Sequence, residues 1–464
     1  MSALLETEIG TIGPDWKVEP LARVCEPPQY GFTASAEEQG NVRFLRITDI
    51  TDSGVKWPTV PFCECPAELL NKYLLASGDI VFARIGATTG KSYLISNPPP
   101  CVFASYLIRV RAKEEIDPVF LSQFFRSVAY WRQVDAQKNA NLKKGVSGSL
   151  LKTLIVPVPP VAEQRKIAGV LGVVQRAMEQ QDRLIALTTE LKKALLHQLF
   201  TQGLRGEPQK QTEIGPVPQS WEVVPLGSLA KVGNGSTPKR DNEGYWQGGT
   251  IPWINSAKIH ERFITGADQF VTDLAVKECH LPRVKPGSLL VAITGQGKTL
   301  GNTALVSFET CINQHLAYAQ FTMGGVMPEF VLWFMQTRYD HLRSVSQAGG
   351  STKGALTCGY LKTYPMPIPS LNEQREIADV FAALDRKEKV HQRRHTALTA
   401  LFRTLLHQLM TAQLRVHDLD LDILECGGTT PLSEGATPRP DQSADASAHS
   451  QMRKAPAHSK RGRT

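Results

Sequence analysis

The sequence predicts an α+β protein in which two tandem mixed α/β domains are separated by two long helices that carry a coiled-coil seam. A repeated helical run is the first sign. Val161-Ala162-Glu163-Gln164-Arg165-Lys166-Ile167-Ala168 opens a stretch that closes at Leu195-Leu196-His197-Gln198-Leu199, and Leu371-Asn372-Glu373-Gln374-Arg375-Glu376-Ile377-Ala378 opens one that closes at Leu405-Leu406-His407-Gln408-Leu409, 210 positions on at both ends. The repeat also reaches outside the runs. Glu8-Ile9-Gly10 and Trp16 recur 205 positions later as Glu213-Ile214-Gly215 and Trp221, while Gly78–Ala83 matches Gly287–Ala292 at an offset of 209. Between these landmarks, short apolar runs bounded by Gly, Pro, Asn or Asp read as strands.

The first domain occupies residues 1–160. Its strand signals are Val42–Ile47, Ile80–Ala83, Tyr106–Val110 and Leu154–Val156. One helical pattern runs over Pro118–Val134, where Phe120, Leu121, Phe124, Phe125 and Val128 recur at three and four, a core-facing stripe. The first long helix, 161–204, follows Val156-Pro157-Val158-Pro159-Pro160; prolines suit a helix start and break its interior. The second domain spans 205–369, with 205–215 as its linker, and repeats the helical pattern over Pro328–Val345. The second long helix is 370–414, after Met366-Pro367-Ile368-Pro369. Residues 415–464 turn to Ala, Ser, Gly, Pro and Asp with a basic tip, the composition of a disordered tail.

A seven-residue grid places Ile167, Val174, Gln181, Thr188, Leu195 and, between them, Val170, Ala177, Leu184, Leu191, Gln198 in one seam. The partner seam takes Ile377, Leu384, His391, Leu398, Leu405 with Val380, Lys387, Arg394, Leu401, Gln408. Roughly 40 residues at about 1.5 Å each make a rod of about 60 Å that cannot bury its stripe alone. If 163–203 runs against 373–413, Gln181 faces His395 and lies within a turn of His391.

A chain of 464 residues with 42% hydrophobic and 21% charged residues is long enough for two or three domains with real cores. The net charge of +8, carried by residues 1–414, invites a polyanionic partner. Acidic Glu6 and Glu8 at the start and the lack of any bilayer-length apolar run point to a cytoplasmic protein, with no membrane contact. Eight cysteines without a Cys-x-x-Cys pair are expected to be free thiols, not a zinc site.

Gly86-Ala87-Thr88-Thr89-Gly90-Lys91-Ser92 resembles a phosphate loop but has three residues between its glycines where four are needed. Asn97-Pro98-Pro99-Pro100 lacks the aromatic ring of the amino-methyltransferase motif and reads as a turn. No metal block or nucleophile elbow appears, so a self-sufficient methyltransferase or nuclease is the alternative with less support. Basic residues near Gly-rich or polar turns are a better signal. Arg84, Thr88, Thr89, Lys91, Lys143 and Lys144 in the first half, and Lys239, Arg240, Lys258, Lys298 and Lys353 in the second, are expected to contact DNA, lysines holding phosphates by charge.

Residues 8–414 resemble the specificity subunit of type I restriction–modification systems. The resemblance is carried by Tyr30-Gly31-Phe32-Thr33-Ala34-Ser35, Phe44–Ile50 and Phe82–Lys91 in the first half, which look like a target recognition domain. Gly235-Ser236-Thr237-Pro238, Tyr245–Gly249 and Ile251-Pro252-Trp253-Ile254 are similar to another branch of that domain, and the Glu-Gln-Arg helix starts are the family's mark. Asn255-Ser256-Ala257-Lys258 departs from the family's usual Asp after the Ile-Pro-Trp block.

The resemblance implies a non-catalytic reader of double-stranded DNA. Each half would read one half of a bipartite asymmetric site, and the two long helices, paired as an antiparallel intramolecular coiled coil, would set the spacer. Two methyltransferase subunits and two restriction/translocase subunits would join it. Contacts to them would involve Glu163, Gln164, Arg165, His197, Glu373, Gln374, Arg375 and His407. The resemblance further implies that no cofactor binds this chain and that S-adenosylmethionine, ATP and Mg2+ sit on the partners.

Overall fold

The computed structural model describes residues 5–51, 54–140, 145–295, 298–348 and 356–418. Residues 1–416 form one compact unit. The expected disordered tail, from 419 on, lies outside the described residues.

The first half runs β1 (Lys17–Pro20), β2 (Gln29–Tyr30), β3 (Val42–Leu45), β4 (Phe62–Cys63), β5 (Ile80–Ala83), β6 (Ser92–Leu94), β7 (Cys101–Phe103), β8 (Leu107–Val110), α1 (Pro118–Phe124), α2 (Val128–Ala140), β9 (Ile155–Val158) and the long α3 (Val161–Gln202). The second runs β10 (Glu222–Pro225), β11 (Ala230–Asn234), β12 (Ile251–Ile254), β13 (Phe263–Ile264), β14 (Gln269–Val271), β15 (Leu289–Ala292), β16 (Thr303–Val306), β17 (Cys311–Ile312), β18 (Leu316–Phe321), α4 (Pro328–Thr337), α5 (Tyr339–Ala348), β19 (Pro365–Ile368) and the long α6 (Leu371–Met410).

The two halves share a topology. Sheet order β6-β5-β8-β2 in the first half reappears as β16-β15-β18-β11 in the second, with β13 added at the edge beside β16. A smaller sheet, β7-β3-β4, reappears as β17-β12-β14, with β7 parallel to β3 and β17 parallel to β12. Strands β5 and β15 are buried throughout, as continuous apolar runs require.

The single helical pattern expected over 118–134 is two helices, and so is its counterpart over 328–345. In the first half the Ser127 hydroxyl accepts from Tyr130 N at 3.2 Å and supplies a fresh start, while Phe120, Phe124, Phe125 and Tyr130 are fully buried around the break. The Asn97 stretch, expected to be a turn, bends between β6 and β7, with Asn97 at φ 45°.

Helix α3 begins after Pro160 and ends at Gly203, whose φ of 65° a side chain would resist. Helix α6 begins at Ser370, whose hydroxyl accepts from Glu373 N at 3.3 Å. The two run antiparallel: Lys192 pairs with Asp385, Asp182 lies 3.3 Å from His395, and Gln181 Oε1 bonds His391 Nδ1 at 2.8 Å. Gln181 therefore meets His391 directly, one turn from the His395 expected to face it.

The seven-residue grid holds in the first turns and drifts later. Leu191 and Leu401, expected in the seam, are 50% and 46% exposed, and Lys387 and Arg394 are exposed too. Lys192 and Phe402 are buried instead. A helix of 3.6 residues per turn slips about 20° per heptad against a 3.5 grid, so the buried stripe walks one position on. Each long helix also ends inside the other half's domain. Leu199 and Phe200 join the core built around Trp221, Phe330, Phe334 and Phe381. Leu409, Met410, Ala412 and Val416 are likewise buried, and Arg415 reaches the first domain, so the boundary expected after Leu414 falls after Val416. No described helix is long and apolar enough to cross a membrane.

Candidate nucleic-acid interface

In the first domain the exposed corner is built where β5, β8 and the segment after β2 meet. Arg84 N donates to Tyr106 O at 3.0 Å, Val146 N to Arg84 O at 2.9 Å, and Gly148 N to the Tyr30 hydroxyl at 2.9 Å. The Arg84 guanidinium stacks 5.1 Å from the centroid of the Tyr30 ring. Tyr106 is 56% exposed.

The other residues of the same loop are placed elsewhere. Gly86 and Gly90 take φ of 85° and 90°, which turns β5 tightly into β6, and Thr89 Oγ1 donates to Gly86 O at 2.6 Å. The Thr89 hydroxyl proton thus serves the turn itself. Thr88 and Lys91 line a groove of about 980 Å³ against α3, together with Tyr93, Arg126 and Gln175. Lys143, Lys144 and Lys353 lie outside the described residues.

In the second domain Arg240 is clasped between aromatic rings, 3.9 Å from the Trp246 centroid and 5.0 Å from that of Trp253, and donates to Gln269 Oε1 at 2.7 Å. Neighbouring Lys239 is exposed and its carbonyl accepts from Trp246 Nε1 at 3.0 Å. Lys298 is exposed beyond β15, in a loop held through its carbonyl by the Tyr339 hydroxyl at 2.8 Å. Lys258 is paired within its own domain. Its ammonium sits 2.8 Å from Glu261 and 3.0 Å from Asp268; the hydrogen bond to Glu261 is the chief cause of its raised pKa, and the two carboxylates cancel its charge for phosphate.

The Glu-Gln-Arg starts divide by role. Gln164 is fully buried: its Oε1 accepts from Asp117 N at 2.7 Å, and its Nε2 donates to Pro159 O at 2.8 Å and Glu115 O at 3.1 Å. Gln374 repeats this with Met327 N at 2.8 Å and with Pro369 O and Gly325 O, both at 2.9 Å. A buried primary amide satisfied in this way ties each helix start to its own domain, so neither Gln is open to a partner subunit.

Glu163 accepts from Trp16 Nε1 at 3.1 Å and Glu373 from Trp221 Nε1 at 3.2 Å. Each also receives the far end of the other long helix: Arg415 Nε reaches Glu163 Oε1 at 2.9 Å, and Leu204 N reaches Glu373 Oε1 at 3.2 Å. Arg165, His197, Arg375 and His407 are exposed.

Sequence reasoning favoured cations and passed over Tyr30, Tyr106, Gln314 and His315. Asn313-Gln314-His315 between two apolar strands was the available signal, since Asn there accepts from a backbone two residues on, as Asn313 Oδ1 does from His315 N at 3.2 Å.

Fold and surface define a class: paired α+β domains at the two ends of one antiparallel helical rod, each presenting a corner of cationic and aromatic side chains, with an amide added in the second. The family profile described as "Type I restriction modification DNA specificity domain" matches residues 14–195 and again 218–400. The chain is 25% identical over 423 residues to a protein of Methanocaldococcus jannaschii carrying the name type I restriction enzyme MjaX specificity subunit, covering 89% of this chain and 96% of that one. It is 32% identical over 193 residues to the MjaIX specificity subunit of the same organism, 40% of this chain and 43% of that one.

Among solved structures, the type I restriction–modification S subunit from M. genitalium aligns with a TM-score of 0.55 at 15% identity, over 85% of this chain and 96% of that one. A chain from a study of complex assembly and conformational transition in the type I system aligns with a TM-score of 0.51 at 19% identity, over 87% and 99%. This chain belongs to the type I restriction–modification DNA specificity family.

Proposed function

We propose that this chain is the non-catalytic sequence-reading subunit of a type I restriction–modification complex, each domain reading one half of an asymmetric bipartite DNA site while the helical rod sets the spacer. One observation carries the reading: two domains with the same backbone frame but different side chains at the corresponding corner are fixed on a rod of about 60 Å. Equal frames with unequal side chains suit two different half-sites at a constant separation. Methyltransferase subunits, bringing S-adenosylmethionine, dock along the rod beside exposed Arg165, His197, Arg375 and His407, with restriction subunits supplying ATP- and Mg2+-dependent chemistry.

Methylome sequencing of a host with and without the gene tests this. A gene-dependent bipartite modified motif is expected, and identical methylomes would overturn the reading. Inserting four residues into both α3 and α6 lengthens the rod by about 6 Å, close to two base-pair steps of about 3.4 Å. The spacer should change and both half-sites persist; an altered half-site with an unchanged spacer would sink the ruler.

A further inference from the structure

The corner of the second domain carries an array that none of the basic residues explains. Thr237 follows β11, Thr294 follows β15, and Gln314 and His315 form the bend between β17 and β18. The Thr237 hydroxyl donates to Gln314 Oε1, Gln314 Nε2 lies 3.4 Å from His315 Nε2, and Thr294 Oγ1 bonds His315 Nδ1. Four side chains from three separate segments are thus joined in a line, with Gln314 and His315 exposed. Exposed glutamines ordinarily sample many rotamers, and holding one in a chain of hydrogen bonds removes that freedom before any partner arrives.

The backbone beneath is rigid and shared. Ser236 N donates to Ile312 O at 3.0 Å and Ile293 N to His315 O at 3.0 Å, as Phe32 N does to Phe103 O at 2.7 Å and Arg84 N to Tyr106 O at 3.0 Å in the first half. Gly235 passes so close that a Cβ would lie 1.9 Å from Ile312 O, and at Gly31 one would lie 2.2 Å from Ala104 O. These bonds match Thr237, Thr294, Gln314 and His315 to Thr33, Ile85, Ser105 and Tyr106. The frame is constant, and the amide and imidazole occur in one half only, as does a hydroxyl at the Thr294 position, where the first half has Ile85.

A primary amide offers two N–H groups and two oxygen lone pairs. Thr237 takes one lone pair and His315 faces one N–H, which leaves one donor and one acceptor side by side on Gln314. That pair matches the N6 amino group and N7 of adenine in the major groove. Arg240 and Lys298, beyond Thr237 and Thr294 in the same two segments, are the cations available for the flanking phosphates. Resting on the DNA-reading function proposed above, the geometry points to Gln314 as the residue that selects one adenine of the half-site read by the second domain, with Thr237 as the positioning residue that holds its amide.

The test is selection from a duplex DNA pool randomised over both half-sites, using the full chain reconstituted with methyltransferase subunits. Wild type should enrich a bipartite motif with A·T at one position that Gln314→Ala weakens by at least about tenfold, leaving the other half-site and spacer as they were. Gln314→Glu should move that position toward C·G, because a carboxylate accepts from the cytosine amino group. Thr237→Val should keep the base and weaken its preference there alone. Unchanged preferences in Gln314→Ala would overturn the assignment, as would uniform weakening of the whole second half-site at an unaltered melting temperature. A wild-type pool without a bipartite motif would overturn the DNA-reading function, and this assignment with it.

Discussion

In the second half, Asp385 of α6 receives Lys192 from α3 and Arg262 from the domain at 2.6 Å, and both cations lie 4.7 Å from the Trp333 ring. At the corresponding place in the first half stands Gln175, which accepts from Gln123 Nε2 at 3.1 Å and from Arg126 at 3.0 Å. Phe402, 210 positions on from Lys192, is buried there. One domain is fastened to the rod by a three-member ion cluster and the other by the Gln175 carbonyl oxygen, shared by an amide and a guanidinium. A duplicated frame can keep its geometry while its fasteners change chemistry, but the fasteners then fail differently. Removing the shared anion strands two cations, whereas removing a neutral amide takes a hydrogen bond from Gln123 and Arg126 without taking away a counter-charge.

Asp385→Asn should therefore have the largest effect, about 3–5 kcal/mol in chemical denaturation, because Lys192 is desolvated and Arg262 remains beside it. Gln175→Ala should cost about 1 kcal/mol. Equal losses would mean that the ion cluster is no stronger a fastener than the amide network.

The second comparison lies at the rod's ends. Arg415 bonds Asp15 through two nitrogens, both at 2.8 Å, and Glu163 as well, chiefly through the hydrogen bond to Asp15 raising its pKa further. Arg205, its equivalent 210 positions earlier, is exposed, and Ser220 precedes Trp221 where Asp15 precedes Trp16. Arg415→Ala should lower stability by about 1–2 kcal/mol and Arg205→Ala by less than about 0.5 kcal/mol. Thermal melts of the two variants check this.

The smallest effect separates two lysines in one domain. Lys298→Ala should weaken DNA binding evenly across sequences and reduce the salt-dependence slope by about 1, while Lys258→Ala should leave the slope unchanged. Salt titrations of binding decide it, and a drop in slope for Lys258→Ala would show that Glu261 and Asp268 release the ammonium on DNA.

Local periodicity and chain-wide repetition were enough to place both long helices and the duplicated domains, because each depends on spacing along the chain, whereas the antiparallel pairing came from the family resemblance. The Glu-Gln-Arg starts were visible for the same reason. What these residues do was not: Gln164 and Gln374 were expected at a subunit surface, yet both are spent on loops nearly fifty positions earlier. The drift that exposes Leu191 and buries Lys192 follows from helix geometry over many turns, which a fixed grid does not follow.

At the interface, composition singled out cations, since charge is a property of a residue by itself. That Lys258 is paired with Asp268 and that Gln314 is held by Thr237 depends on groups that meet only in the folded chain. The sequence by itself thus determined the duplication and the rod, which are written in near-neighbour spacing. Only the tertiary structure decided which polar groups are already paired and which remain free to bind, because hydrogen bonds and ion pairs form between neighbours in space.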